Sequence, residues 1–321
     1  FTILPGVGND YGIYFSSGTG PTDPVAITNN TMEDFSDYGF YASWSYMTGT
    51  SFTFTNNTMQ DCGTGIYVYG FDGCTIRIND NTAIDCTAGM DLEEFDEGMG
   101  TDAQVMGNTV TLDNSTPSSS TGLYVCCPEN TTYVSNNRVE GPYSTGLYIT
   151  DAGCCGLEPT LVYAEGNTII LDSSLSGGTG FDFCCPENTT HIAGNTVEGP
   201  FEYGLYLQDV GCCGASPSIV FVERNSVSGS NYGLYFDELT CCVPGEITVR
   251  YNVLEGGAYG INVNSHAYAA DPLTVVQFTT NSIQDNSDYG FINGSGELVD
   301  AKENWWGDAS GPFDDKTLPG T

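Results

Sequence analysis

Residues 195–207, Asn195-Thr196-Val197-Glu198-Gly199-Pro200-Phe201-Glu202-Tyr203-Gly204-Leu205-Tyr206-Leu207, contain the two phrases whose repetition decides the fold. The second phrase begins at Gly204 and recurs at Gly12, Gly39, Gly65, Gly89, Gly122, Gly146, Gly180, Gly233, Gly260 and Gly290, at spacings of 24 to 34 residues. An apolar residue follows every one of these glycines. Two residues further on the position is apolar again in ten of eleven copies, Asn293 being the exception. Period-two alternation in a short run is a strand signature, with the Gly read as marking the turn into it. The first phrase places an Asn between apolar residues three before and two after it, at Asn30, Asn57, Asn81, Asn108, Asn137, Asn167, Asn195, Asn225, Asn252, Asn281 and Asn304. The two phrases alternate without a miss. A unit of two or three short strands cannot bury a face alone; repeated eleven times, it makes a parallel β-solenoid. Each Asn then lies above the last, bonding its amide to the backbone and to the Asn of the next coil. About eleven coils at ~4.8 Å each give a rod roughly 50 Å long.

These residues resemble the right-handed parallel β-helix repeat family over nearly the whole chain. The resemblance implies an all-β fold, a right-handed parallel β-helix (solenoid) of about 11 coils with an Asn ladder over residues 1–304. Residues 305–321 form a Trp/Gly/Pro closing segment and polar tail. That family uses its fold for several functions. The run Glu303-Asn304-Trp305-Trp306-Gly307-Asp308-Ala309-Ser310-Gly311-Pro312 is similar to the closing phrase of β-helix surface proteins of archaea, especially methanogens, and of some bacteria. This resemblance implies an extracellular, cell-surface or sheath protein and names no activity.

Composition narrows the function. Six Lys+Arg against 41 Asp+Glu give a net charge of −35. Arg77, Arg138, Arg224, Arg250, Lys302 and Lys316 are too few and too scattered for the basic stripe that nucleic acid requires. A polyanionic membrane surface is excluded on the same ground, and no apolar run reaches the ~20 residues of a membrane span. With 40% hydrophobic and 12% aromatic residues the chain is expected to build a real core. Phe1 is neither an initiator Met nor part of a signal peptide, so the chain reads as processed. No helical cap fits before Gly12, and lightly capped ends leave strand edges that recruit further strands.

The 13 cysteines include five adjacent pairs: Cys126 with Cys127, Cys154 with Cys155, Cys184 with Cys185, Cys212 with Cys213, and Cys241 with Cys242. No CxxC of the zinc or redox type occurs. An oxidising, extracellular compartment is the simplest reading. The pairs follow the Gly strand in successive coils and are expected to stack on one side of the rod as disulfide staples. Cys62 and Cys86, each five residues after a ladder Asn, are read as one such staple. Cys74 and the five pairs make an odd number, so one thiol is free, metal-bound or joined to another chain; a bond between subunits is preferred. A longer duplication lies on top: Cys-Cys-Pro-Glu-Asn-Thr-Thr occurs at 126–132 and again at 184–190, and Cys154-Cys155 recurs at Cys212-Cys213.

Two residues after the repeat Gly stand Tyr14, Tyr41, Tyr67, Tyr124, Tyr148, Tyr206 and Tyr235, turned outward by alternation. They are either a stacking ladder within the rod or a flat aromatic face for a neighbouring rod or a glycan. The densest acidic run lies within 91–102; Asp91, Glu93, Glu94 and Asp96 are candidate Ca2+ ligands, weighed against a solvated acidic loop. Outside that option no cofactor is expected. Sugar chemistry on a β-helix needs paired carboxylates or a base with cationic support. The two histidines lack any such support, His191 reading as a solvated or stacked strand residue and His266 as a loop residue, so no catalytic residue is assigned and the chain is expected not to be an enzyme. Acceptor sequons occur at Asn29, Asn56, Asn114, Asn130, Asn188 and Asn293, with Asn130 and Asn188 expected to be the exposed ones. The tail Leu318-Pro319-Gly320-Thr321 resembles a sortase motif cleaved after its Thr, and coincidence is the simpler account.

Together these features predict a secreted structural protein whose partner is itself, polymerising through rod ends or flanks into a disulfide-stabilised sheath, filament or coat. The alternatives are a glycan-binding or glycan-processing β-helix and a monomeric adhesin. A groove combining Tyr with converging acidic residues is the feature that would favour glycans.

Overall fold

The computed structural model describes residues 2–3, 10–17, 22–44, 49–71, 73–93, 100–113, 118–152, 160–171, 177–210, 218–239, 245–264, 275–295 and 299–308. Every strand in it pairs in parallel with the equivalent strand of the coils before and after, forming three sheets. The coil from residue 75 illustrates the plan. Thr75–Asn79 belongs to the third sheet, a turn carries Asp80 and Asn81, Thr82–Ile84 belongs to the first sheet, and Ala88–Glu93 to the second. The first and second sheets hold eleven strands each and the third ten. The rod therefore has ten complete turns and part of another, slightly fewer than eleven full coils. Bridges from Gln277 to Asp300 and from Ser282 to Trp305 continue two of the walls, and Trp306 packs against the core. The closing phrase is thus built into the rod through Trp306, and residues 309–321 lie outside the described residues.

The Asn ladder holds at all ten steps. Each Nδ2 donates to the next Oδ1 at 2.9–3.2 Å. The same Oδ1 accepts the backbone N–H of the preceding ladder Asn, as from Asn137 to Asn167 at 3.0 Å. From Asn57 onward Nδ2 also reaches a strand carbonyl one coil back, as from Asn167 to Val134 at 2.8 Å. The residue before each ladder Asn is left-handed in every coil. Asn, Asp and Gly occupy that position up to Gly194; Arg224, Tyr251, Thr280 and Glu303 take the same strained conformation later in the chain.

The repeat glycines are not turn residues. Each lies inside its strand of the second sheet with its Cα turned inward, where space rather than φ excludes a side chain. A Cβ on Gly180 would sit 2.7 Å from the carbonyl oxygen of Gly204. In strand Thr64–Tyr69 the exposure runs half-buried, buried, buried, half-buried, buried, half-buried. Two successive inward residues, the Gly and the next, break strict alternation, so the residue before the Gly and the one two after it both face out. Phe40, Phe52, Phe54, Phe71, Phe181, Phe183, Phe236 and Phe278 fill the interior with aliphatic side chains between them.

Candidate functional site: the outer face of the second sheet

Register makes the outer face of the second sheet a set of straight columns. The column two residues after the Gly reads Tyr14, Tyr41, Tyr67, Asp91, Tyr124, Tyr148, Asp182, Tyr206, Tyr235, Asn262, Ile292. All seven tyrosines expected there are present and outward. Tyr14 and Tyr41 stack with centroids 5.0 Å apart and Tyr41 and Tyr67 at 5.1 Å, while Tyr124 and Tyr148 pack tilted at 5.3 Å.

A second column, missed in the sequence, stands beside it. It is made of the residues before the Gly: Tyr11 and Tyr38 at one end, Tyr203, Tyr232, Tyr259 and Tyr289 at the other, with Thr64, Thr121, Thr145 and Thr179 among the residues between. Two aromatic patches result. In the larger, Tyr203 lies 4.8 Å from Tyr206 and 4.9 Å from Tyr235, and Tyr232 lies 4.6 Å from Tyr259. Between the patches the threonines lower one column and carboxylates interrupt the other.

Those carboxylates are electrostatically unusual. Burial, reinforced by neighbouring Glu93, pushes Asp91 up to about 7. Tyr67 Oη donates to Glu93 Oε2 at 3.1 Å. Asp91 Oδ1 is buried with no hydrogen-bond partner among the described residues. Burial also pushes Asp182 up to about 6, although Gln208 Nε2 donates to its Oδ1 at 2.8 Å. Tyr206 Oη donates to Asp237 Oδ2 at 3.1 Å. The second-sheet strands carry no Lys or Arg at all. Arg138, Arg224, Arg250 and Lys302 are tied to Glu140, Glu223 and Asp300 on other parts of the rod.

The Asp91/Glu93 pair does not have the spacing of a glycosidase's two acids. Asp91 and Glu93 stand two residues apart on one side of the same strand, close enough for Glu93 to raise the Asp91 carboxyl, whereas the two acids of a glycosidase stand ~5–9.5 Å apart with the sugar between them. Asp182 is three strands from Asp91, roughly 14 Å at the strand spacing of a sheet. Of the four Ca2+ candidates, Asp91 and Glu93 lie on the strand Ala88–Glu93. Glu94 and Asp96 lie outside the described residues.

The remaining expectations divide. His191 is stacked on the third sheet between Tyr163 and Phe221, with centroids 5.0 and 4.8 Å away; His266 lies outside the described residues. Cys62 and Cys86 stack in adjacent coils as expected but are thiols rather than a staple, each turned inward toward backbone carbonyls, Gln60 O at 3.2 Å and Ile84 O at 3.5 Å. Cys74 is a buried thiol.

The five cysteine pairs fall at two different offsets from the repeat Gly, and two of the pairs lie among the described residues. Cys126 and Cys127, like Cys184 and Cys185, end their strands, and these two pairs are two coils and about 10 Å apart, beyond disulfide reach of each other. Cys126 and Cys127 are joined to each other rather than to a neighbouring coil. The other three pairs come four residues later in their repeats. Cys154 and Cys155, Cys212 and Cys213, and Cys241 and Cys242 all lie outside the described residues.

The sequons differ from expectation as well. Asn130 and Asn188 are half-buried and left-handed, Asn130 Nδ2 donating to Asp102 at 2.8 Å; Asn29, Asn56 and Asn293 are the exposed sequons, and Asn114 is not described.

Three parallel sheets wound around one core with an internal Asn ladder define a parallel β-helix. A family model described as right handed beta helix region matches residues 6–169, just over half of the chain, and the chain belongs to that family. No curated protein and no solved structure matches it. No helix among the described residues is long and apolar enough to cross a membrane.

Proposed function

We propose that this chain is a non-catalytic, extracellular β-helix that holds a neutral polysaccharide along the outer face of its second sheet. The observation that carries the reading is the pair of tyrosine columns bracketing the Asp91/Glu93 and Asp182 interruptions on a face without a cation. Tyrosine rings give apolar platforms with a polar rim, suited to the C–H faces and hydroxyls of a sugar. Carboxylates accept hydrogen bonds from hydroxyls, and a half-buried carboxyl that keeps its proton donates a hydrogen bond. A uronate polymer would meet a surface of its own sign, which disfavours it. Side-by-side packing of copies meets the same repulsion from a net charge of −35 per chain.

Affinity electrophoresis in gels cast with neutral glucans, mannans and galactans, or with a polyuronate, tests this. Neutral polymers should retard the chain, and a Tyr203→Ala/Tyr206→Ala/Tyr235→Ala variant should run freely. No retardation by any neutral polymer, or equal retardation of the variant, defeats the reading.

A second reading is that of a sheath or filament subunit stacking end to end. It is favoured by apolar side chains left open on the outermost described coils, Tyr14 at 54% and Phe15 at 38% exposed at one end and Trp305 at 47% at the other. Electron microscopy of concentrated protein with and without reductant tests it: ordered rods longer than one chain support it, discrete single rods oppose it.

A further inference from the structure

The duplicated Cys-Cys-Pro-Glu turn creates the same side-chain cluster twice. Cys126, Cys127 and Asp151 converge in one copy, Cys184, Cys185 and Asp209 in the other, with the sulfur and carboxylate atoms of each set within 4.8 Å of one another. Register explains the convergence. Cys126 pairs with Thr150 and Cys184 with Gln208, so the next residue on each strand, Cys127 or Cys185, lies beside the Asp of the following coil. The backbone N–H of Cys127 bonds Thr150 O and that of Cys185 bonds Gln208 O, both at 2.9 Å. Cys127, Asp151, Cys185 and Asp209 are all left-handed, with φ of 58, 55, 55 and 49°. Cysteine has no intrinsic liking for that conformation, and its use at the same position in both copies marks a side chain whose placement matters.

We propose that Cys184, Cys185 and Asp209 form a binding site for a thiophilic divalent cation of the zinc type, and that Cys126, Cys127 and Asp151 form its twin when reduced. Cys184 Sγ lies 3.2 Å from Cys185 Sγ and 3.9 Å from Asp209 Oδ2. Ligands about 2.0–2.3 Å from a tetrahedral ion stand ~3.3–3.8 Å from each other, so small adjustments close the shell. Two sulfurs select zinc-like ions over Ca2+ or Mg2+. Three protein ligands leave a fourth position open to water or another ligand. Cysteine ligates as the thiolate, so binding displaces protons and tightens as pH rises. The site borders the carboxylate face, since Cys184 follows Asp182 by two residues on one side of the same strand.

Co2+ titration of the full chain in a phosphine reductant, without oxygen, reads the site through thiolate-to-cobalt absorption in the near ultraviolet. The proposal expects a saturable band, tighter at pH 8 than at pH 6, that falls by about half in Cys184→Ser/Cys185→Ser. In Asp209→Asn that site should bind about tenfold more weakly. If the double variant misfolds by circular dichroism, alkylation of the unmutated chain decides instead: Co2+ should slow iodoacetamide modification of Cys184 and Cys185. No thiolate band in the reduced chain, a band of full strength in the folded double variant, or unchanged alkylation rates overturns the proposal.

Discussion

Inside the rod and on its second face the chain uses one device, identical side chains stacked in register, with opposite tolerance for interruption. The Asn column is unbroken through its eleven members, and from Asn57 to Asn281 they are almost fully buried. The Tyr column is broken at Asp91, Asp182, Asn262 and Ile292. The difference follows from what a missing member leaves behind. Inside, a gap strands buried donors and acceptors on two neighbouring coils. Outside, it removes only a stacking contact worth ~0.2–1 kcal/mol per pair, and water takes the space. The inner column is fixed by the fold, and the outer one is free to vary, so its interruptions are where a site can be built.

That contrast can be broken most forcefully at its centre. Asn167→Ala orphans the backbone N–H and Nδ2 of Asn137, which now donate to Asn167 Oδ1 at 3.0 Å. It should cost about 3 kcal/mol or more in denaturant unfolding, against under ~1 kcal/mol for Tyr148→Ala on the outer face. Equal losses would erase the distinction. Gly180→Ala should cost about 2 kcal/mol, because its methyl meets a neighbouring carbonyl that cannot retreat without opening the sheet.

The outer face should respond to pH in the opposite sense from an ordinary carboxylate. Folded Asp91 keeps its proton up to about pH 7, whereas the unfolded chain releases it near 3.8. Between those values the folded state binds more protons, so stability falls as pH rises from about 4 to 7. Asp182, raised to about 6, adds to the same slope, so Asp91→Asn should reduce it, most of all between pH 6 and 7, and raise stability at pH 8 by roughly 1 kcal/mol, discounted for partial solvent screening. Thermal melts across that range read both effects, and an unchanged slope in the variant would show that Asp91 is not its source. The smallest effect sharpens the picture of the turns: Thr280→Gly, relieving a β-branched residue at φ 56°, should stabilise by ~0.5–1 kcal/mol in the same melts.

Much of this architecture was legible before any coordinates. The ladder Asn and the inward apolar positions appear in the sequence because every coil must repeat them. The second tyrosine column did not, although Tyr11, Tyr38, Tyr203, Tyr232, Tyr259 and Tyr289 each stand directly before a repeat Gly. Strict alternation turns those residues inward; the missing side chain of Gly lets two consecutive positions face the core and swings the preceding Tyr outside. The Asp91 and Asp182 interruptions were hidden for a related reason. Asp91 read as part of an acidic run, and only register places it between Tyr67 and Tyr124. The convergence of Asp151 and Asp209 on cysteines of the preceding coil is likewise invisible at a separation of about two dozen residues.

Hydroxyl-radical footprinting of tyrosine and tryptophan side chains, with and without a neutral polysaccharide, tests the central claim most directly. The account predicts that Tyr203, Tyr206, Tyr232 and Tyr235 lose reactivity when polysaccharide is added, while Tyr133 and Tyr163 on the third sheet do not. Unchanged reactivity across the second-sheet columns, or loss confined to Tyr14 and Trp305 at the rod ends whether or not polysaccharide is present, would contradict it.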